Sequence, residues 1–183
     1  MKIGILTYHA VANFGAQLQT LSTIGFLKKM GHDPIVLNWY PKDLEYRYKN
    51  QVPIEQFENS ILFAENNFPI SKRCSTEEEL IVEIERLNLD LIIAGSDALF
   101  KYQPEKLRRH FSLRKFKYII SPPRVSVEGL NGNAFWGNFI SKLKKKIPAK
   151  VYAVSSQNCP YHLMNRTERE EMKKYLSNYD FIS

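Results

Sequence analysis

Short apolar runs alternate with helical patterns along this chain, and that alternation most limits the folds it can adopt. Residues 2–7 (KIGILT) form an apolar run of strand type, and residues 34–39 (PIVLNW) form a second one. Between them, residues 15–30 carry Leu18, Leu21, Ile24 and Leu27 at the spacing of one helix face. The order is therefore β-α-β. Near-continuous apolar strands joined through helices indicate a parallel sheet that is covered on both faces.

The same alternation continues along the chain, after a Pro-punctuated connection at 41–73 that contains one modest helical pattern at 54–66. Helices are predicted at 76–88 and 167–178, each opened by an S/T-x-x-E capping box that begins at Ser75 or Thr167. Strands are predicted at 91–94 and 150–155, and another begins at 181–182. We expect a single Rossmann-like, doubly wound α/β domain over residues 1–183, with a mainly parallel sheet.

The basic residues are concentrated in one segment. The chain has 183 residues and a net charge of +7, but residues 101–150 alone hold 13 Lys and Arg against 2 Glu, whereas the remainder is net acidic. We interpret residues 101–149 or so as a basic insertion. Phe135, Trp136, Phe139 and Ile140 precede Lys142–Lys146 there, a composition typical of peripheral contact with an anionic membrane. A solvated charged face is the alternative. Nucleic acid is disfavoured, because no RRM, KH or helix-turn-helix pattern is present.

Several classes of protein are excluded by pattern. The apolar runs are far shorter than the roughly 18 residues that span a bilayer, and residues 1–30 lack the pattern of a signal peptide. Cys74 and Cys159 have no CxxC spacing, and the four histidines show no HxH or HExxH spacing. These features predict a cytoplasmic protein without a metal site or a disulfide framework.

Polar residues follow the predicted strands, and in a parallel sheet ligands bind where such carboxyl ends meet. The turn after the first strand contains His9, Asn13, Phe14, Gly15 and Ala16, and it could hold a phosphate or carboxylate at the helix start. Asn and Gly also suit any helix start, so a structural role remains open. His9 lies at a predicted strand end, and it is therefore the one histidine that we consider a candidate ligand contact.

Two further polar turns qualify. Gly95, Ser96 and Asp97 come directly after the apolar run at 91–94, where a hydroxyl and a carboxylate could bind a sugar or act as acid or base. Capping of a following turn explains Ser96 and Asp97 equally well. Residues 155–158 (SSQN) follow the next strand but have no distinctive spacing, which favours a structural role.

Four stretches of the sequence together resemble a known family. Residues 13–19 are NFGAQLQ and residues 28–32 are KKMGH; later come LDLIIAGSDALF at 89–100 and KVYAVSSQ at 150–157. The polysaccharide pyruvyl transferase family has N-[YF]-G-A-x-L-Q, K-x-x-G-H, G-S-D-Q-x-W and Y-A-x-S in the same order. The chain resembles that family, and it departs from its pattern at Ala98 and Phe100, which replace Gln and Trp.

The resemblance implies a transferase that moves enolpyruvate from phosphoenolpyruvate to two hydroxyls of a cell-surface saccharide, as a cyclic ketal. It implies the N-terminal domain of a two-domain GT-B-like fold, whose second domain is not contained in residues 1–183. Phosphoenolpyruvate and a saccharide or lipid-linked saccharide would be the partners, at the inner face of the membrane, and no cofactor would be needed.

From their places at the predicted strand ends, we expect Asp97 and His9 to be catalytic. The expected substrate-binding residues are Asn13, Phe14, Gly15, Ala16, Gly95 and Ser96. Two alternatives stay open: a non-catalytic accessory or binding module of the same fold, which the departures at Ala98 and Phe100 favour, and a sugar-nucleotide glycosyltransferase, which would share the crevice.

Overall fold

The computed structural model describes residues 1–102, 109–112, 117–120, 129–130, 132–157 and 159–183. Its strands are β1 (Lys2–Leu6), β2 (Asp33–Val36), β3 (Leu91–Asp97), β4 (Arg109–Ser112), β5 (Lys117–Ile120), β6 (Ala149–Val154) and β7 (Phe181–Ile182). Its α-helices are α1 (Phe14–Lys29), α2 (Lys42–Gln51), α3 (Ile54–Asn67), α4 (Glu77–Leu87) and α5 (Arg166–Leu176).

The main sheet is five-stranded, and every pair of neighbouring strands in it is parallel. The strand order is β2-β1-β3-β6-β7, while β4 and β5 form a separate antiparallel pair. At the centre of the sheet, Gly4 of β1 pairs with Ile35 on one side and Ile92 on the other. The predicted α/β class with a mainly parallel sheet is confirmed, as are the helices expected at 15–30, 54–66, 76–88 and 167–178.

The core lies on both sides of this sheet. Strand residues such as Ile3, Ile5, Ile92 and Ala94 are at most 1 % exposed. They pack with the apolar sides of the helices and with the chain after β2, including Trp39. Burial of a large aliphatic side chain contributes about 1.5–3 kcal/mol, so the contacts between the strands and the covering helices stabilise this arrangement.

Only half of the apolar stripe predicted for helix α1 is buried: Ile24 and Leu27 pack in the core as expected, but the first half of the helix buries other residues. Leu18 is 43 % exposed and Leu21 is 38 % exposed, whereas the polar residues Gln17 and Thr20 are buried. Burial of these polar groups is tolerated because both find partners: Gln17 Nε2 donates to the carbonyl of Ser60, and the Thr20 hydroxyl contacts backbone carbonyls. The prediction that Leu18 and Leu21 belong to the buried stripe is wrong.

Both predicted capping boxes exist, but each begins at a different residue. Helix α4 is capped by Thr76, whose hydroxyl accepts from the backbone N–H of Glu79, rather than by Ser75. Helix α5 is capped by Asn165 rather than Thr167, and its reciprocal partner is Glu168. In both cases a neighbouring residue with a suitable side-chain acceptor takes the cap position.

The aromatic strip expected beside Lys142–Lys146 is part of the core. Phe135, Trp136 and Phe139 are at most 1 % exposed, so they cannot form a membrane-facing surface. Their segment is held from two sides: Tyr179 donates from its hydroxyl to the carbonyl of Phe135 at 2.9 Å, and the buried Glu77 of α4 pairs with Lys142. The strip prediction is wrong because this end of the basic segment packs between α4 and α5.

The rest of the predicted basic insertion is described only in part. The side chains of residues 103–128 lie outside the described residues, and so does the prediction of a membrane contact that rests on them. Within the described ranges, no helix has both the length and the apolar content needed to cross a lipid bilayer.

Candidate functional site

Two of the predicted polar turns meet at the carboxyl edge of the sheet, where β1 and β3 end side by side. Leu6 and Ala94 are paired across these strands. Directly beyond them, the Thr7 hydroxyl donates to the carbonyl oxygen of Ser96 at 3.3 Å. This bond joins the turn after β1 to the Gly95-Ser96-Asp97 segment, which lies almost 90 positions further along the chain.

The turn after β1 ends in a side-chain cap. Asn13 Oδ1 accepts from the backbone N–H of Gly15 at 3.0 Å and from that of Ala16 at 3.4 Å. Asn13, Phe14 and Gly15 are exposed, whereas Ala16 is buried. Because Asn13 already occupies two of the helix's first N–H groups, a bound anion would have to share them or displace the cap.

Gly95 allows β3 to approach β6 closely. Its φ is +133°, in a region that side-chain-bearing residues rarely adopt. A Cβ atom at this position would lie 1.9 Å from the carbonyl oxygen of Tyr152 on β6. Gly95 is also buried. The glycine is therefore required by the meeting of the two strands, and this contact sets the position of Ser96 and Asp97 beyond it.

Asp97 ends β3 with a half-buried carboxylate. Its Oδ1 accepts from the backbone N–H of Ala98 at 2.6 Å, and its own carbonyl accepts from the N–H of Ser155 at 3.0 Å. The backbone of Asp97 is thus fixed by the neighbouring strand, while the carboxylate lies at the crevice. A carboxylate so placed can accept a proton or a hydroxyl hydrogen bond.

His9 lies behind the turn rather than on its surface. It is 1 % exposed, and both ring nitrogens have protein neighbours: Nδ1 is 3.1 Å from the Thr7 carbonyl, and Nε2 is 3.0 Å from Asn38 Oδ1. Burial lowers the pKa of the imidazole, against smaller opposing effects of these two contacts. In this geometry His9 joins the ends of β1 and β2, and it supports the turn from inside.

Lys101 is a cation at this edge that the sequence did not single out. Its Nζ lies 5.6 Å from the centroid of the Tyr8 ring, over the turn after β1. Tyr8 in turn packs edge-on against the buried Phe135. Lys101 falls within the basic segment of the sequence, but its position four residues after Asp97, on the connection that leaves β3, indicates that it lies near this edge.

The third polar turn also lies at this edge. Ser155 follows β6, and besides donating to Asp97 it accepts at its carbonyl from the N–H of Phe100 at 3.4 Å. Ser155 and Gln157 are exposed and Ser156 is half-buried, while Asn158 lies outside the described residues. These contacts show a structural link to the β3 connection, in line with the expected structural role for Ser155.

The two departures from the family pattern fall on core positions. Ala98 is 2 % exposed. Phe100 stacks on Trp136 with the ring centroids 5.1 Å apart and the planes 13° from parallel. An aromatic ring is therefore retained where the family pattern has Trp, in a packing role. The replacements alter packing beneath the crevice and leave Asp97 and Lys101 in place.

Metal ligation has no visible basis in the part of the chain that the structure describes, where no three His, Cys, Asp or Glu side chains form a ligand cluster. The groups available for a ligand at this edge are instead a carboxylate (Asp97), an ammonium (Lys101), and hydroxyl and amide side chains (Ser96 and Asn13). Such a set suits an anionic or hydroxyl-rich small molecule.

The fold and this edge define a Rossmann-like α/β domain with polar side chains at the carboxyl ends of its parallel strands. Residues 13–183 match the family model described as polysaccharide pyruvyl transferase, and the chain belongs to that family. Membership supports a pyruvyl transferase-like function in polysaccharide biosynthesis, with a saccharide acceptor. No curated protein and no solved structure matches the chain.

Proposed function

We propose that this domain forms part of an enzyme that transfers the enolpyruvyl group of phosphoenolpyruvate to a cell-surface saccharide as a cyclic ketal. The observation that carries the proposal is that a carboxylate and an ammonium both lie beside the turn after β1. Asp97 is the last residue of β3 and Lys101 follows it by four residues. The Thr7–Ser96 bond and the Lys101–Tyr8 contact join this part of the chain to the turn after β1.

The reaction needs two kinds of assistance. A proton adds to the methylene carbon of the donor, and C2 gains oxocarbenium character. Two sugar hydroxyls add to C2 in turn and lose their protons, and phosphate leaves with the electron pair of its C–O bond. Of the two protons released, one balances the new methyl group and the other leaves with phosphate. The enzyme must therefore provide a base for the hydroxyls and cations for the donor's carboxylate and phosphate.

Asp97 suits the first requirement. Its backbone is fixed by hydrogen bonds to Ser155 and Leu99, and its half-buried carboxylate can accept a proton from an attacking hydroxyl. Lys101 suits the second, since a half-buried ammonium next to an aromatic ring provides a positive charge for a carboxylate or phosphate oxygen. His9 acts here as a positioning residue for the turn, because both of its nitrogens already contact protein atoms.

Phosphate release tests this assignment. Purified protein is incubated with phosphoenolpyruvate and a panel of neutral glycosides, and inorganic phosphate and the ketal methyl group are followed by 31P and 1H NMR. We expect Asp97→Asn to lower kcat by about 10²-fold or more, in the range of general base catalysis, with little change in KM for the donor. Lys101→Gln should raise that KM, and Lys101→Arg should largely restore it.

Lys28→Gln is the matched control, because Lys28 is an exposed lysine in the last turn of α1, at the opposite end of that helix from the crevice. It should behave as the wild type. Equal losses from Lys28→Gln and Lys101→Gln would show that only overall charge matters. Turnover that survives Asp97→Asn unchanged would remove Asp97 from the chemistry.

A further inference from the structure

A cleft lies beside the turn after β1, between the start of α1 and helix α3. Its lining is uncharged except for Glu55. It is an open depression of about 540 Å³, and its lining includes Phe14, Gln56, Asn59 and Phe63. Phe14 belongs both to this cleft and to the turn that contains Asn13. The depression therefore adjoins the turn after β1, whose Ala12 is also part of its lining.

The walls of the cleft are held in place by buried hydrogen bonds. Gln17 Nε2 of α1 donates to the carbonyl of Ser60 on α3 at 2.8 Å, and the Ser60 hydroxyl donates to the carbonyl of Gln56 at 2.8 Å. Gln17 is 4 % exposed and Ser60 is 8 % exposed. The Gln17–Ser60 bond joins α1 to α3, whereas the Ser60–Gln56 bond lies within α3 and orients the Ser60 hydroxyl. The first bond thus holds the two walls together without a ligand.

The cleft presents an aromatic ring next to planar amides. Phe14 is 65 % exposed, although it is a large apolar side chain that gains nothing from contact with water. Gln56 and Asn59 are also exposed, and each amide offers both a donor and an acceptor. An aromatic platform flanked by amides matches a pyranose ring, whose C–H faces are apolar and whose edge carries hydroxyls.

Charge excludes the donor from this cleft. Glu55 is part of the lining, and neither Lys nor Arg is among the described residues that form it. A phosphate or carboxylate would meet a negative charge without a compensating cation, whereas a neutral hydroxyl can donate to Glu55. The cleft therefore differs in kind from the Asp97–Lys101 side of the crevice.

We propose that the α1–α3 cleft is a binding subsite for a neutral saccharide unit, with Phe14 as the platform and Gln56 and Asn59 as hydrogen-bonding partners. The assignment rests on the proposed function in one respect, since it makes the cleft the acceptor side of the same reaction. Binding of the sugar itself needs no donor and no turnover.

The test is a 1H–15N NMR titration of the full chain with three probes: methyl β-D-galactopyranoside, methyl β-D-glucopyranoside and phosphoenolpyruvate. At least one glycoside should shift the amide signals of residues 53–63 and the side-chain amides of Gln56 and Asn59, with millimolar affinity. Phe14→Ala should weaken that binding about five- to tenfold, the range of one aromatic contact. Leu18→Ala is the matched control, because Leu18 is exposed one turn further along α1 and is not part of the cleft.

Two outcomes overturn the subsite: neither glycoside shifts these signals, or Phe14→Ala and Leu18→Ala weaken binding equally. Unchanged thermal unfolding of both variants verifies that they are folded, as expected for exposed side chains. A different result would refute the proposed function alone. If glycosides bind in the cleft but phosphoenolpyruvate neither binds near Lys101 nor releases phosphate, the saccharide subsite is supported and the proposal of pyruvyl transfer is refuted.

Discussion

Replacing Gly95 with Ala should destabilise the domain more than any other small change at this edge. The added methyl group meets two obstacles at once. The backbone at Gly95 has φ +133°, and the Cβ position lies 1.9 Å from the carbonyl oxygen of Tyr152, where ordinary contact begins near 3.4 Å. Because the obstructing atom belongs to the backbone of β6, no side-chain rotation can relieve the overlap.

The expected loss follows from these two terms. A side-chain-bearing residue in such a sparsely populated backbone region costs about 1–3 kcal/mol. Inserting a methyl group into a packed interior costs about 1–3 kcal/mol more, since β3 and β6 must separate. We therefore expect a loss of about 2–6 kcal/mol in the free energy of unfolding. For a domain of this size that corresponds to a fall in Tm of at least about 4 °C.

Gly25→Ala is the control with the opposite sign. Gly25 lies inside α1, and a Cβ there would meet nothing within 4 Å. Replacing an exposed helical glycine by alanine stabilises by about 0.5–1 kcal/mol, so this variant should melt slightly above the wild type. Both values come from thermal and urea unfolding followed by circular dichroism. A Gly95→Ala protein that melts within about 2 °C of the wild type would have lost no more than about 1 kcal/mol, and this result would refute the steric reasoning.

Three other outcomes are expected. Glu83→Gln should lower the free energy of unfolding by about 1–3 kcal/mol at pH 7, because the buried carboxylate accepts two hydrogen bonds from Arg86. These bonds hold the pKa of Glu83 below the usual 4.5. The difference between the two proteins in urea unfolding should therefore fade as pH falls below that value. Asn13→Ala should lower Tm through loss of the α1 cap, about 1 kcal/mol, while Asn13→Asp should keep it. At pH 8 iodoacetamide should label Cys159 before Cys74 in a peptide mass map, since Cys74 is 1 % exposed and burial raises its pKa to about 12.

The strands and the polar residues at their carboxyl ends were predictable because they depend on local patterns. Polar residues follow an apolar run where a buried strand reaches the edge of a parallel sheet. Asp97 follows such a run, so its place at the edge can be predicted without any knowledge of packing. Helix α2 was not predictable, because its sequence lacks such a pattern. In KDLEYRYKNQ, Leu44 is the only aliphatic residue, so no apolar stripe with a helical period is visible, although the structure buries Leu44.

Features that depend on packing between distant segments were not predictable. Gln17 of α1 is buried with a hydrogen bond to Ser60 of α3, and the sequence around Gln17 contains no signal of that distant partner. Lys101 could be noticed as a basic residue, but its place over Tyr8 depends on the path of the chain after β3. Likewise Phe135 and Trp136 next to lysines have the composition of a membrane strip, and only the partners Tyr179 and Phe100 identify them as core.

The distribution of charge around the turn after β1 gives the proposed reaction a direction. Lys101 lies over Tyr8 on the connection that leaves β3, whereas the cleft with Glu55 opens beside Phe14, between α1 and α3. An anionic donor held at Lys101 and a neutral acceptor held at Phe14 would approach this turn from different sides, with their reacting atoms brought next to Asp97. An acceptor with a carboxylate on the unit that occupies the cleft would meet Glu55 and bind more weakly. That penalty should shrink at high salt, because added ions screen exposed charges, while the contribution of Phe14 should remain.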